Sequence, residues 1–208
     1  FNGLTGATAT SAQNFAIENK IFHALDDSSL GLINFASNTL FVSSTGASGS
    51  TPTASNNDYT RINNAVQNAA SGTTIKLNGT FDWTEANASA SWAKGSNGIA
   101  GDIDDYSIYV PANRNNVTFT ANTLGDATIQ GPGDVATVDL EGVFFFDGGP
   151  NQGWTISNTR FVDFDLAIGF FSGGGGVTAY NNTKILNNYV KVAKDLNATA
   201  APGDSFQN

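Results

Sequence analysis

The sequence contains no cysteine and no methionine. Without Cys there can be no disulfide, zinc–thiolate site or thiol nucleophile. A chain that starts at Phe1 and has no Met is expected to be a processed or trimmed piece of something longer. Charge is also scarce, at 13% of residues, and the net charge is −9. Nucleic acid is therefore excluded as a partner, because its phosphates need a basic face. Electrostatic binding to anionic lipid is disfavoured for the same reason. No apolar run approaches the roughly 18 residues of a membrane span, so none is expected. Phe1 carries no signal peptide, as in a mature exported chain.

What is abundant is small and polar. There are 23 Gly, and Ser, Thr and Asn recur in short clusters between apolar runs. That composition suits many short strands joined by tight polar turns. The 208 residues are enough for one domain with a real core.

The clearest pattern is Asp58 to Phe81. Ile62, Ala65, Val66, Ala69 and Ala70 form one apolar stripe at helical spacing, which predicts a helix over 58–71. Asn57 or Asp58 can cap its start and Gly72 can end it. Thr74 to Leu77 then alternates as a strand, with a turn expected at Asn78-Gly79. Upstream, residues 1–56 read as a leader or linker with short strands, expected at Leu32–Phe35 and Thr39–Val42. The stretch Asn14 to Leu25 is mixed and fits a short helix or a bent strand. Downstream, 82–106 reads as a long polar loop. Strands are expected again near Ser107–Val110, Val117–Thr120, Ala127–Gln130 and Val143–Phe146.

The last third repeats. Ile156-x-Asn158-x-x-Phe161 matches Ile185-x-Asn187-x-x-Val190, and only strands and turns lie between, which suggests a solenoid. The two Ile would stack in the core of successive rungs. The two Asn would share a corner, where Asn tolerates left-handed backbone angles and can hydrogen-bond its copy.

These residues resemble the N-terminal portion of a right-handed parallel β-helix of the pectate-lyase-like superfamily, as found in large secreted bacterial surface proteins. The resemblance rests on the run D-x-x-x-I-x-x-A-V-x-x-A at Asp58 to Ala69, followed by Gly72-Thr73-Thr74-Ile75. It extends over Asn116–Phe119, Gly125–Gly131 and the two Ile-x-Asn segments. It implies an all-β fold over 57–208 with 58–71 as the N-terminal capping helix. It implies little about function, because that fold carries lyases, hydrolases, adhesins and phage spikes alike. Family enzymes build many rungs and close with a C-terminal cap. Here the sequence stops at Asn208 with no obvious closing element.

Several residues are candidates for chemistry. Asp102, Asp104 and Asp105 could hold Ca²⁺, although Asn113 stands where an EF-hand loop needs Glu. A solvated acidic turn is the plainer reading. Asp163 and Asp165 would share one face of a strand, with Arg160 close by. Paired carboxylates divide acid and base work in glycosidases, and lyases of the resembled fold gather Asp around Ca²⁺. A rim position at a turn competes with catalysis for this pair. Trp83 and Trp92 could stack on sugar rings, and a core or loop-anchoring role stands equally beside that reading. N-x-S/T sequons stand at Asn78, Asn87, Asn116, Asn181 and Asn197. His23, the only histidine, has no triad partner nearby in sequence.

The expected function is a secreted or cell-surface structural or adhesive module without catalysis and without a cofactor other than Ca²⁺. Its expected partner is another copy stacked head to tail into a filament, or an extracellular polysaccharide. The alternatives are a polysaccharide lyase or glycoside hydrolase, and a passive glycan-binding module.

Overall fold

The computed structural model describes residues 8–47, 57–83, 106–131, 133, 142–147, 151–164, 168–171 and 181–192. Among them are two helices, α1 (Ser11–Glu18) and α2 (Asp58–Asn68). The strands are β1 (Thr39–Ser43), β2 (Thr74–Asp82), β3 (Tyr106–Val110), β4 (Thr118–Ala121), β5 (Ala127–Gln130) and β6 (Gly142–Asp147). They continue with β7 (Thr155–Ser157), β8 (Arg160–Phe164), β9 (Ile168–Phe171), β10 (Lys184–Leu186) and β11 (Tyr189–Val192).

Eight strands form one sheet in the order β10-β7-β4-β2-β5-β8-β11, with β1 paired to β2 off that path. A second sheet holds β3-β6-β9. All these strand pairs are parallel. The long strand β2 joins the two arms of the large sheet. Its first half pairs with β1 and β4, and its second half with β5. Gly79 (φ +105°) lies between the halves. A Cβ there would come within 2.9 Å of the Ser44 Cβ, so only Gly fits both the angle and the space. The turn expected at Asn78-Gly79 is thus a bend inside one continuous strand.

The all-β parallel β-helix expected from the sequence is corrected. The observed arrangement is α/β-like: one mostly parallel eight-stranded sheet, a smaller sheet, and two helices that contribute to the core. Ile62, Ala65 and Val66 of the α2 stripe are fully buried and continuous with the strand core, so the helix belongs to an α/β-like core and is not the cap of an all-β solenoid. Burying side chains of the Ile and Val kind contributes about 1.5–3 kcal/mol each.

The helix α2 starts where expected. The Asn57 side chain accepts from the Thr60 amide at 2.8 Å, satisfying one of the open donors of the first turn. It stops at Asn68, and Ala69 already has extended backbone angles. The N-terminal region is more ordered than a leader. Thr10 and Gln13 form a capping box for α1, Phe15 packs edge-on against Phe41, and β1 aligns residue by residue with β2. Leu32–Phe35 is not a strand.

Two files of side chains cross the large sheet. Leu40, Ile75, Phe119, Ile156 and Ile185 occupy one register row. Phe81, Ile129, Phe161 and Val190 occupy another. Ile156 and Ile185 are paired in parallel register, as the repeat predicts. The core is filled out by aromatics, with Phe119 edge-on to Phe144 at 4.8 Å and Phe146 edge-on to Trp154 at 5.0 Å.

Candidate functional site

The sheet has two ends, and they differ in chemistry. The head end is formed by β1, the second half of β2 and the two helices. Several of its backbone groups are taken by side chains. Glu18, at the end of α1, accepts from the Ser43 amide at 3.1 Å. Asp58, the first residue of α2, accepts from the Asp82 amide at 2.8 Å, the Thr45 amide at 2.6 Å, the Thr45 hydroxyl at 2.9 Å and the Ser44 hydroxyl at 3.1 Å. The single Ser44 hydroxyl proton is shared between Asp58 and the Thr80 carbonyl. Asp58 is wholly buried, and an acidic side chain at a helix N-terminus is favoured by the helix dipole.

Behind this closure lies a buried ionic group. Arg61 pairs with both Glu18 and Asp26. Burial lowers the guanidinium to about 10, so it stays charged at neutral pH. His23 is buried beside it, and its Nδ1 accepts from the Ile33 amide at 3.1 Å. The proton of the neutral ring is therefore on Nε2. Desolvation lowers the His23 pKa, and the Asp26 carboxylate opposes that in part. An open cavity of about 470 Å³ adjoins the group, lined by Lys20, Phe22, Asp26, Ser44, Thr45 and Arg61 among others. Arg61 is already engaged by two carboxylates, which leaves Lys20 as the other cation lining the cavity. The arrangement closes an end of the sheet.

The two outermost strands of the path, β10 and β11, follow each other in the chain through Asn187-Asn188, and together they form the tail end. Here the two apolar files run out to the surface. Ile75, Phe119 and Ile156 are wholly buried, but Ile185 is 51% exposed. Phe81, Ile129 and Phe161 are wholly buried, but Val190 is 51% exposed. Leu186 and Tyr189 add 50% and 39% exposure on the same strands. The charges there are largely occupied. Arg160 lies over the Tyr189 ring at 4.1 Å, and Lys191 pairs with Asp163 at 2.9 Å.

The residues singled out in the sequence fall out as follows. Asp163 has a left-handed backbone (φ +60°) and accepts from Gln130 Nε2 at 2.7 Å and from Lys191 Nζ. Those two bonds, Lys191 first, hold its carboxyl below the usual range. A carboxylate so held is a structural acceptor and a poor proton donor. Asp165, its proposed partner, lies outside the described residues. Arg160 faces Tyr189 and not Asp163. Trp83 is a correction: it is wholly buried, edge-on to Tyr59 at 5.3 Å and to Phe164 at 6.0 Å. No face of its ring is open to a sugar. Ile185, expected in the core, is at the exposed edge. Trp92, Asp102, Asp104, Asp105, Asn87 and Asn197 lie outside the described residues. Asn78, Asn116 and Asn181 are exposed. Among the described residues no three acidic, His or Cys side chains gather as a metal site would require, and no helix is long and apolar enough to cross a membrane.

Compared with protein family models, with characterised proteins and with solved structures, the chain shows no significant match to any.

Asp58, Glu18, Asp26 and Arg61 were missed as a group by sequence reasoning. A signal was present. In a chain this poor in charge, Arg61 stands next to Ile62 on the buried stripe, and Glu18 stands between apolar Ile17 and Ile21.

Proposed function

We propose that the chain is a structural, non-catalytic module of an exported or cell-surface protein, and that it works by self-association through the β10–β11 edge. One observation carries this reading: both apolar files are fully buried along the sheet and become half exposed only at Ile185 and Val190. Strand edges with free amides and carbonyls are templates for pairing with another chain. Proteins that avoid such pairing place charge or Pro on the edge; β10 and β11 carry one Lys each, Lys184 and Lys191, among the apolar Ile185, Leu186, Tyr189 and Val190. The acidic composition without Cys fits export, and the neutralised Asp163 argues against an acid–base pair.

Sedimentation velocity over a wide concentration range tests the reading. Association that rises with concentration, and that Val190→Lys abolishes, is the expected result. Monodisperse monomers up to millimolar concentration would overturn it. A parallel incubation with uronate and neutral glycans, with and without Ca²⁺, is expected to release no reducing or unsaturated ends. Release of either would overturn the non-catalytic part.

A further inference from the structure

The segment that follows α1 folds back over one imidazole ring. The His23 carbonyl accepts from the Asp26 amide at 2.8 Å and from the Asp27 amide at 3.0 Å, which sets a tight turn. Residues 28–35 double back across that turn. The Leu30 amide donates to the Asp27 carbonyl at 3.0 Å, and the Gly31 carbonyl accepts from the Ala24 amide at 3.2 Å. Farther along, the Ile33 amide donates to His23 Nδ1 at 3.1 Å. Leu32 packs against the core, and Phe35 stacks on Phe41 at 5.8 Å. His23 is buried, and its Nε2 has no hydrogen-bond acceptor among the described residues.

This arrangement suits one protonation state of the ring. Neutral His23 presents the Nδ1 lone pair to the Ile33 amide. A second ring proton would sit on Nδ1 and face that amide, donor against donor. The cation would then hold two buried N–H groups with no acceptor for either, which is costly. The charged groups of the head do not supply one. Asp26, in the same turn, accepts from the His23 backbone amide and pairs with Arg61 of α2. Asp27 accepts from the Ser29 amide and hydroxyl. Glu18 of α1 accepts from the Ser43 amide and pairs with Arg61. Residues 28–35 carry no charged side chain.

We infer that residues 28–35 form an acid-released strap, latched at neutral pH by the hydrogen bond from the Ile33 amide to His23 and opened when the ring takes a second proton. Opening brings water to the imidazolium and lifts Leu32 from the core, while the Phe35–Phe41 stack pins the far end. The open form binds one proton more than the latched form. Its ring titrates near the ordinary value of about 6.5, whereas desolvation lowers the latched ring. The open population therefore rises as pH falls below about 6.5, by up to tenfold per pH unit, and levels off beneath the latched value. The latch does not involve the β10–β11 edge, so it stands or falls apart from self-association.

Native-state hydrogen exchange from pH 7.5 to 5, in water and in low urea, tests the strap. The Ile33 amide is expected to exchange faster than the slowest amides of the large sheet. Its exchange should depend little on urea, because a local opening exposes little surface. Its protection factor should fall by up to tenfold per pH unit below about 6.5. In His23→Gln, which accepts from the amide but takes no proton, that fall should disappear. A pH-independent protection factor in the wild-type protein, or the same fall in His23→Gln, would overturn the latch. Exchange as slow and as urea-dependent as that of the sheet would overturn the strap, since only global unfolding would then expose Ile33. Nitrogen NMR of the single histidine decides without a variant. Nδ1 is expected to be unprotonated at pH 7.5, with a ring midpoint below 6.5. A proton on Nδ1, or a midpoint at or above 6.5, would overturn the inference.

Discussion

The Asn187 side chain donates from Nδ2 to Oδ1 of Asn158 at 2.7 Å. The two residues have the same left-handed backbone, with φ of +51° and +55°. Asn158 in turn reaches Thr120 and the Ala121 carbonyl from its own Nδ2. One corner of the large sheet is thus a side-chain ladder laid over repeated backbone turns. Asn is suited to both tasks, since it tolerates this angle and carries a donor and an acceptor.

Asn158→Ala should therefore be destabilising by about 1–3 kcal/mol, combining the backbone penalty with lost hydrogen bonds. Asn158→Gly should cost less, because it relieves the angle and loses only the bonds. Urea denaturation of the three proteins measures the difference. Equal losses for Ala and Gly would show that the angle contributes nothing.

Asp58 should be the most sensitive polar residue at the head. Asp58→Ala removes the acceptor for two amides and two hydroxyls. A loss of about 1–3 kcal/mol is expected, since several half-buried donors lose their acceptor. Hydrogen exchange should show the Asp82 and Thr45 amides opening first.

Arg61→Ala should cost about 3–5 kcal/mol, because it leaves Glu18 and Asp26 buried without their cation. Replacing Glu18, Asp26 and Arg61 together by apolar residues of similar size should cost less than the single change. Chemical denaturation of the single and triple variants compares them. A triple variant less stable than Arg61→Ala would contradict this view of the group.

His23 sets a pH dependence. Its folded pKa lies below the ordinary 6.5, mainly through desolvation. The unfolded chain therefore takes up its proton first as pH falls. The stability tied to neutral His23 is fully present above about 6.5 and is lost as pH falls through the lowered folded value. The urea midpoint should fall from pH 7.5 toward pH 5. In His23→Gln, which keeps an acceptor but binds no proton, that fall should be smaller. An unchanged slope would assign the effect to other groups.

Part of this was legible before any coordinates. The stripe Ile62–Ala65–Val66 gives α2, because helical period and burial coincide there. The Ile-x-Asn repeat places Ile156 beside Ile185 and Asn158 beside Asn187, because identical local geometry recurs in parallel register. The all-β solenoid did not hold. Local pattern could not show that β2 continues through Gly79 and fuses two arms into one sheet. Nor could it show that α1, from a segment resembling a linker, packs onto β1. The choice between a sugar-stacking and a core Trp83 was open in the sequence for a related reason: its neighbours Tyr59 and Phe164 are remote along the chain.

Short-range features follow from local residue order: the helix cap at Asn57, the Asn corners, and the alternation that makes most of the strands. These depend on interactions within a few residues or on an exact repeat. Only the tertiary structure decided which end of the sheet is closed and which is open. That outcome depends on Glu18, Asp58 and Ser44 meeting backbone groups 25, 24 and 36 residues away, and no local pattern records so long a reach.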